Sequence, residues 1–210
     1  MENNTNRYIF APSKSHTVSK AEKTKQFIVE QTAPIFNTKG YAGTSLNDIT
    51  EATGLTKGSI YGNFANKDEV ALAVFDHNLQ KINNCINSSM SNCCTVKGQL
   101  LVYANRYGDY VKFPEGGCPI MNTAVEADDT HPALRKRASE ALTAWKKKLT
   151  KLIEQGIANK EFSNVTDPEQ VALTLMATIE GALMITKVTG KLSHMKIIMQ
   201  SVEQMIEDLV

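Results

Sequence analysis

At 210 residues, with 42% hydrophobic residues, the chain is long enough for one large domain or two small ones around a substantial core. Its net charge of +1 hides an uneven distribution: Met1–Lys67 carries eight Lys and Arg against five Asp and Glu, and the remainder carries 15 against 17. A mildly basic head on a mildly acidic body suits a nucleic-acid contact confined to one end. No uninterrupted apolar stretch is expected to span a bilayer, and residues 1–19 lack the apolar run of a secretory signal. Cys85, Cys93, Cys94 and Cys118 show no CxxC spacing, so reduced thiols, no metal, no cofactor and a cytoplasmic location are expected.

Residues 1–19 are rich in Asn, Ser, Thr and Lys without apolar period and read as a flexible arm, from which Arg7 or Lys14 could reach a minor groove. From Lys20 the pattern is helical throughout. Phe27, Ile28, Ile35 and Phe36 recur at helical spacing, Gly40 ends that helix, and Pro34 predicts a kink near Ala33. Two short helices follow. Thr44 or Ser45 caps the first, Gly54 permits the turn, Leu55 plugs the angle, and Thr56 caps the second, Lys57 to Phe64. Asn66, with Glu69 three residues later, opens a long fourth helix to about Asn92, with inner stripe Phe75, Leu79, Ile82 and Ile86.

Helices are further expected over about Val96–Lys112 and Pro119–Asp128, separated by the break from Pro114 to Pro119. Another runs from His131-Pro132 to about Asn159, with Leu134, Ala138, Leu142, Trp145, Leu149 and Leu152 inward and Lys146, Lys147, Lys148 and Lys151 on its solvated face. Asp167-Pro168-Glu169-Gln170 has the order of an N-cap, a first-turn proline and an N3 amide. The helix behind it, Val171–Val188, is apolar nearly all round, and the last carries an apolar stripe from Met195 to Leu209. No segment alternates like a strand, so the fold is read as all-α, with about nine helices.

The chemistry concentrates in residues 40–69. Helix starts at Thr44–Ser45, Thr56 and Asn66–Lys67 present backbone N–H groups and a dipole that favour phosphate. The outward face of the third helix holds Lys57, Ser59, Tyr61 and Asn63, in a length that fits a major groove. Thr44, Tyr61 and Lys67 are assigned to phosphate, and Lys57, Ser59 and Asn63 to bases or base-adjacent phosphate, with Ser45 and Thr56 beside them as capping contacts. Each residue alone is an ordinary cap.

Jointly, Phe36-x-x-x-Gly40-Tyr41, Thr44-Ser45-x-x-Asp48-Ile49, Ala52-x-Gly54-Leu55 and Lys57-Gly58-x-Ile60-Tyr61-x-x-Phe64-x-x-Lys67 resemble the DNA-binding head of the TetR (tetracycline-repressor-like) transcriptional regulators. The likeness covers residues 20–75 and departs from the commoner pattern at Gly62 and Asn63, where many members carry bulky aromatic or His residues. It implies a helix-turn-helix head (20–66) and a body (67–210) that binds a small-molecule effector and dimerises through its last two helices. It further implies a palindromic double-stranded DNA operator and release of repression by the effector.

Independently, two neighbouring apolar helices, Val171–Val188 and Met195–Leu209, leave more apolar surface than a monomer tolerates, and Gly181 and Ala182 would admit a partner helix. Candidate effector contacts are Tyr103, Tyr107, Cys118, Met121, Asn122, Trp145, Met176 and Glu180. Glu180 stands out as an acid on an apolar helix, and Cys118, beside a helix N-terminus, suggests a rival redox-sensing regulator. A helical ligand carrier or enzyme is the rival from another class. The scattered His16, His77, His131 and His194 offer no nucleophile–base pair, so an enzyme is not expected.

Overall fold

The computed structural model describes residues 19–109, 115–163 and 167–210, and among these it is helical without strands. The order is α1 (Lys20–Gly43), α2 (Leu46–Thr53), α3 (Lys57–Tyr61), α4 (Lys67–Met90), α5 (Val96–Gly108), α6 (Pro119–Ala127), α7 (Pro132–Ala158), α8 (Pro168–Thr189) and α9 (Leu192–Glu207). Residues 1–18 of the expected arm, with Arg7 and Lys14, lie outside the described residues. Ser19 is the N-cap of α1: its hydroxyl accepts from Glu22 N–H and the Glu22 carboxylate accepts from Ser19 N–H.

Pro34 lies inside α1, but the backbone departs from helix at Gly40 (φ 75°, ψ 179°) instead of the expected kink near Ala33. A positive φ is glycine's to adopt, whereas a proline removes one ladder bond that an exposed helix face can lose to water. Ser45, not Thr44, caps α2, and its hydroxyl and the Asp48 carboxylate satisfy each other's backbone N–H groups. Gly54 (φ 66°) makes the expected left-handed turn. The third helix ends at Tyr61, three residues earlier than expected, and α5 ends at Gly108 instead of Lys112. At α4, Asn66 caps Glu69 N–H, while the Glu69 carboxylate reaches back to Ala65 N–H, one residue beyond the expected box.

Two apolar clusters organise the molecule. The first joins Ile28, Phe36, Ile49, Ile60, Phe64, Val70 and Val74, with Ala127 and Leu134 contributed by α6 and α7. The second runs from Phe75 and Ile82 through Leu100, Trp145, Leu149, Leu175 and Ile179 to Met199 and Ile206. Helix α4 belongs to both. On α7 the buried positions step through Leu134, Ala138, Ala141, Trp145, Leu149 and Ile153, so Ala141 takes the inner place and Leu142, one residue on, is exposed. Phe27 is likewise exposed beside fully buried Ile28.

Helix α8 is, by length and composition, long and apolar enough to cross a bilayer, which corrects the expectation of no such stretch. Its apolar character serves the core: Ala172, Leu175, Ile179, Ala182 and Leu183 are buried within the chain. What remains outward is Leu173, Met184, Ile185 and Val188 (80% exposed), continued by Leu192 and Ile197 of α9. Gly181 opens onto this face, since a Cβ there would meet nothing within 4 Å. Ala182 is fully buried within the chain and is not on that face, contrary to expectation.

Candidate nucleic-acid interface and internal clefts

Helix α3 is held from below by Ile60 and Phe64, both buried, and Thr56 caps it by accepting from Ser59 N–H at 3.2 Å. That leaves Thr56, Lys57 and Tyr61 exposed and Ser59 half-exposed on one outward surface. The side chains of Lys57, Ser59 and Tyr61 have no partner among the described residues, so their donors are available to a polar ligand. Ser45 lies exposed at the α2 start, its hydroxyl donating to Asp48 at 2.6 Å. Lys39 pairs with that same carboxylate at 2.6 Å, and the Lys39 and Ser45 donors together hold the Asp48 carboxyl well below the usual range.

Three expected contacts are placed differently. Thr44 is fully buried and its hydroxyl donates to Gly40 carbonyl oxygen at 2.6 Å, so its side chain closes the α1–α2 turn instead of meeting phosphate. The Asn63 amide donates to Ser59 carbonyl oxygen at 2.9 Å, spending one donor on the end of α3. The Lys67 ammonium donates to Tyr41 and Thr44 carbonyl oxygens at 2.9 and 3.0 Å and sits 4.1 Å from the Tyr41 ring centroid. It neutralises the negative end of α1, leaving one N–H for any outside ligand.

Around Tyr41 the head meets the body. The Tyr41 hydroxyl donates to Asp68, whose carboxylate also lies 3.6 Å from His131 Nε2, and the Tyr41 and His131 rings meet edge-on at 4.5 Å. This hydrogen bond pushes the Tyr41 phenol up to about 12 and lowers Asp68. Glu126 of α6 receives the N–H groups of Tyr41 and Ala42, each at 2.7 Å, under the Gly40 break. Sequence reasoning missed Glu126, because its partners are backbone donors that exist only once Gly40 turns the chain. Asn37 donates to Glu115 and Gly117 carbonyl oxygens at 2.6 and 2.9 Å, and Asn122 donates to Gly116 and Asn37 carbonyl oxygens at 2.8 and 3.1 Å. Asn122 is therefore engaged in joining α6, α1 and the loop before α6.

The expected effector residues divide between two clefts. Cys118, Met121, Asn122 and Glu180 line one of about 420 Å³ between α1, α6 and α8. Tyr103, Tyr107 and Trp145 line another of about 320 Å³ between α4, α5, α6 and α7. Met176 packs in the body core. Within the first cleft the Cys118 thiol donates to Glu180 Oε1 at 2.8 Å, while Glu180 Oε2 is buried without a partner among the described residues. Burial raises the Glu180 carboxyl, partly offset by the thiol. Burial, reinforced by Glu180, pushes the Cys118 thiol up as well. Cys118 does precede α6, but its sulfur is buried beside an acid and its pKa is pushed up, which argues against the rival redox-sensing reading. All four cysteines are free thiols.

In the second cleft Tyr107 and Trp145 stack with centroids 5.4 Å apart and planes 5° from parallel, and Tyr103 tilts against Tyr107 at 5.0 Å. Lys148, expected on the solvated face, is half-buried here: its ammonium donates to Asn87 at 2.6 Å and burial lowers its pKa.

Known proteins match along most of the chain. The family model "Bacterial regulatory proteins, tetR family" matches residues 28–74, and "Tetracyclin repressor-like, C-terminal domain" matches residues 97–202. A crystal structure of a TetR-family transcriptional regulator from Cytophaga hutchinsonii is 48% identical, with TM-score 0.88 over 92% of this chain and 98% of that one. One from Chloroflexus aurantiacus is 34% identical, with TM-score 0.85 over 91% of this chain and 98% of that one. The transcriptional repressor DhaR of a Mycobacterium species is 26% identical over 78% of this chain and 82% of its own. With the helix-turn-helix geometry of α2 and α3, these matches identify the chain as a DNA-binding transcriptional regulator of the TetR family.

Proposed function

We propose that the protein is a cytoplasmic repressor that binds a palindromic operator as a homodimer and is released when a small molecule occupies its body. The division is a head, residues 20–66, that reads DNA, and a body, residues 67–210, that senses and dimerises. The observation that carries the reading is the outward surface of α3, where Lys57, Ser59 and Tyr61 stand without side-chain partners among the described residues, on a short helix packed from below by Ile60 and Phe64. Lys57 and Ser59 are assigned to bases and base-adjacent phosphate, and Tyr61, Thr56 and Ser45 to the backbone. Lys67 and Asn63 act chiefly by shaping the surface, given the bonds they already make.

The exposed apolar strip of α8 and α9 supports a four-helix seam with a second copy, and Gly181 supplies the point of close approach. Repression is supported by the kinship to DhaR, which is named a repressor. Operator binding would be lost when an effector favours a second arrangement of the heads, through its greater affinity for that state.

The test is a salt titration of operator binding by single variants. Lys57→Ala should lower the slope of log affinity against log salt by about 0.9, one phosphate's worth. Tyr61→Phe should weaken binding to every sequence alike. Unchanged affinity and slope in both would remove α3 from the interface.

A further inference from the structure

We infer that the cleft between α4, α5, α6 and α7 binds a small aromatic carboxylate, received by the Tyr103 hydroxyl, the Trp145 indole N–H and the Lys148 ammonium. The inference rests on reading the body as the effector-binding part and names the chemical class of that effector.

Three observations converge. First, the Tyr103 hydroxyl and Trp145 Nε1 are both buried and both residues line this cleft; the two atoms stand near each other, with Tyr107 beside the phenol, but neither makes a hydrogen bond of good geometry among the described residues. An indole N–H only donates. The phenol stays protonated because burial, with Tyr107 beside it, holds it well above its ordinary value. These two buried donors are at best poorly satisfied by one another and by Tyr107, and a ligand oxygen between them offers a better acceptor at little further desolvation of the protein.

Second, the charges in the wall are of one sign. Lys148 and Arg137 line the cleft and, among the described residues, no Asp or Glu does. Arg137 is occupied by Asp76 at 2.6 Å and Glu140 at 3.8 Å. Lys148 gives one N–H to Asn87 and passes 5.9 Å from the Tyr103 ring, which leaves two donors on an ammonium whose charge burial already disfavours. A carboxylate restores that charge balance and forms charge-assisted bonds. The acid that stands behind this cluster, Glu180, lines the other cleft and accepts the Cys118 thiol.

Third, size and shape select the rest of the molecule. About 320 Å³ is at the small end of ligand sites, enough for one or two rings. The parallel Tyr107–Trp145 stack, with Leu79 and Ile120 beside it, presents flat apolar walls.

Trp145 is the single tryptophan of the chain, so its emission reports occupancy directly. Full-length protein is titrated with benzoate, phenylacetate and 3-phenylpropionate, and with the primary amide and the amine matching each. At least one carboxylate should give a saturable change in Trp145 emission, binding about tenfold or more tighter than its amide and more tightly still than its amine. Lys148→Met should erase the preference for carboxylate over amide, and Tyr103→Phe should weaken both.

The comparison of acid, amide and amine on the unaltered protein stands even if a variant fails to fold. No saturable carboxylate binding, or an amine or amide that binds as well, overturns the inference. Operator affinity measured with the same compounds separates the two readings. A carboxylate that fills the cleft without altering DNA binding defeats the effector role but not the chemical class. Operator release by other compounds, unaffected by Lys148→Met, defeats the class but not the effector role.

Discussion

Glu180 and Cys118 show how far single residues can be read before a fold is known. An acid on an apolar helix stands out in the sequence, and it is buried with one oxygen on a thiol and the other without a partner among the described residues. Its folded pKa lies above the unfolded value, so the folded state holds its proton more tightly. Stability therefore falls as pH rises from the ordinary carboxyl range through the raised value, and stays reduced above it. Glu180→Gln removes that ionisation: its stability relative to the native chain, measured by denaturant titration, should rise from pH 4 to pH 8. A pH-independent difference would contradict the burial of a charge there. The cysteine was harder to read, because position beside a helix N-terminus lowers a thiol pKa only where the sulfur is reachable. Likewise Thr44, Asn63 and Lys67 had the right chemistry for DNA. Their donors face backbone carbonyls brought near by the turns, and no spacing rule reveals which oxygen a donor will meet.

Elements were more legible than contacts. Caps at Ser45, Thr56, Asn66 and Asp167 fixed the helix starts, since a side-chain acceptor for the first N–H groups is a local requirement. Helix ends were less so: α3 closes on Tyr61 because the chain tightens through Gly62 and Asn63 to bury Phe64. The break in α1 fell at Gly40 and not Pro34, and its partner is long-range. Glu126 receives two N–H groups there, and a Cβ at position 40 would sit 2.5 Å from its carboxylate. Through this contact α6, whose start lines both clefts, grips the helix that carries α2 and α3. Glu126→Ala should cost about 1–3 kcal/mol, as expected for loss of charge-assisted bonds at a half-buried site. It should also shrink any effector-induced change in operator affinity. Unchanged stability by thermal and urea unfolding would show that the clamp does not form.

At the scale of the whole molecule, the all-α class and the order of helices followed from period and punctuation, and the structure bears both out. The two cores were less predictable, because Ala127 and Leu134 of the body pack into the head cluster and α4 threads both. Head and body thus share packed apolar surface, which gives a change in the body a mechanical path to α3. The strip from Leu173 to Ile197 remains uncovered in one chain, and a second copy closing it would carry a second head. Selection from random DNA duplexes by the purified protein tests this account most directly. It should return one palindrome whose half-site centres lie about one helical turn apart, roughly 34–36 Å. Gly181→Leu, whose Cβ would meet nothing within 4 Å among the described residues, should fold yet bind that palindrome at least tenfold more weakly by separating the copies. No enriched sequence, or a single half-site bound equally by both proteins, would contradict it.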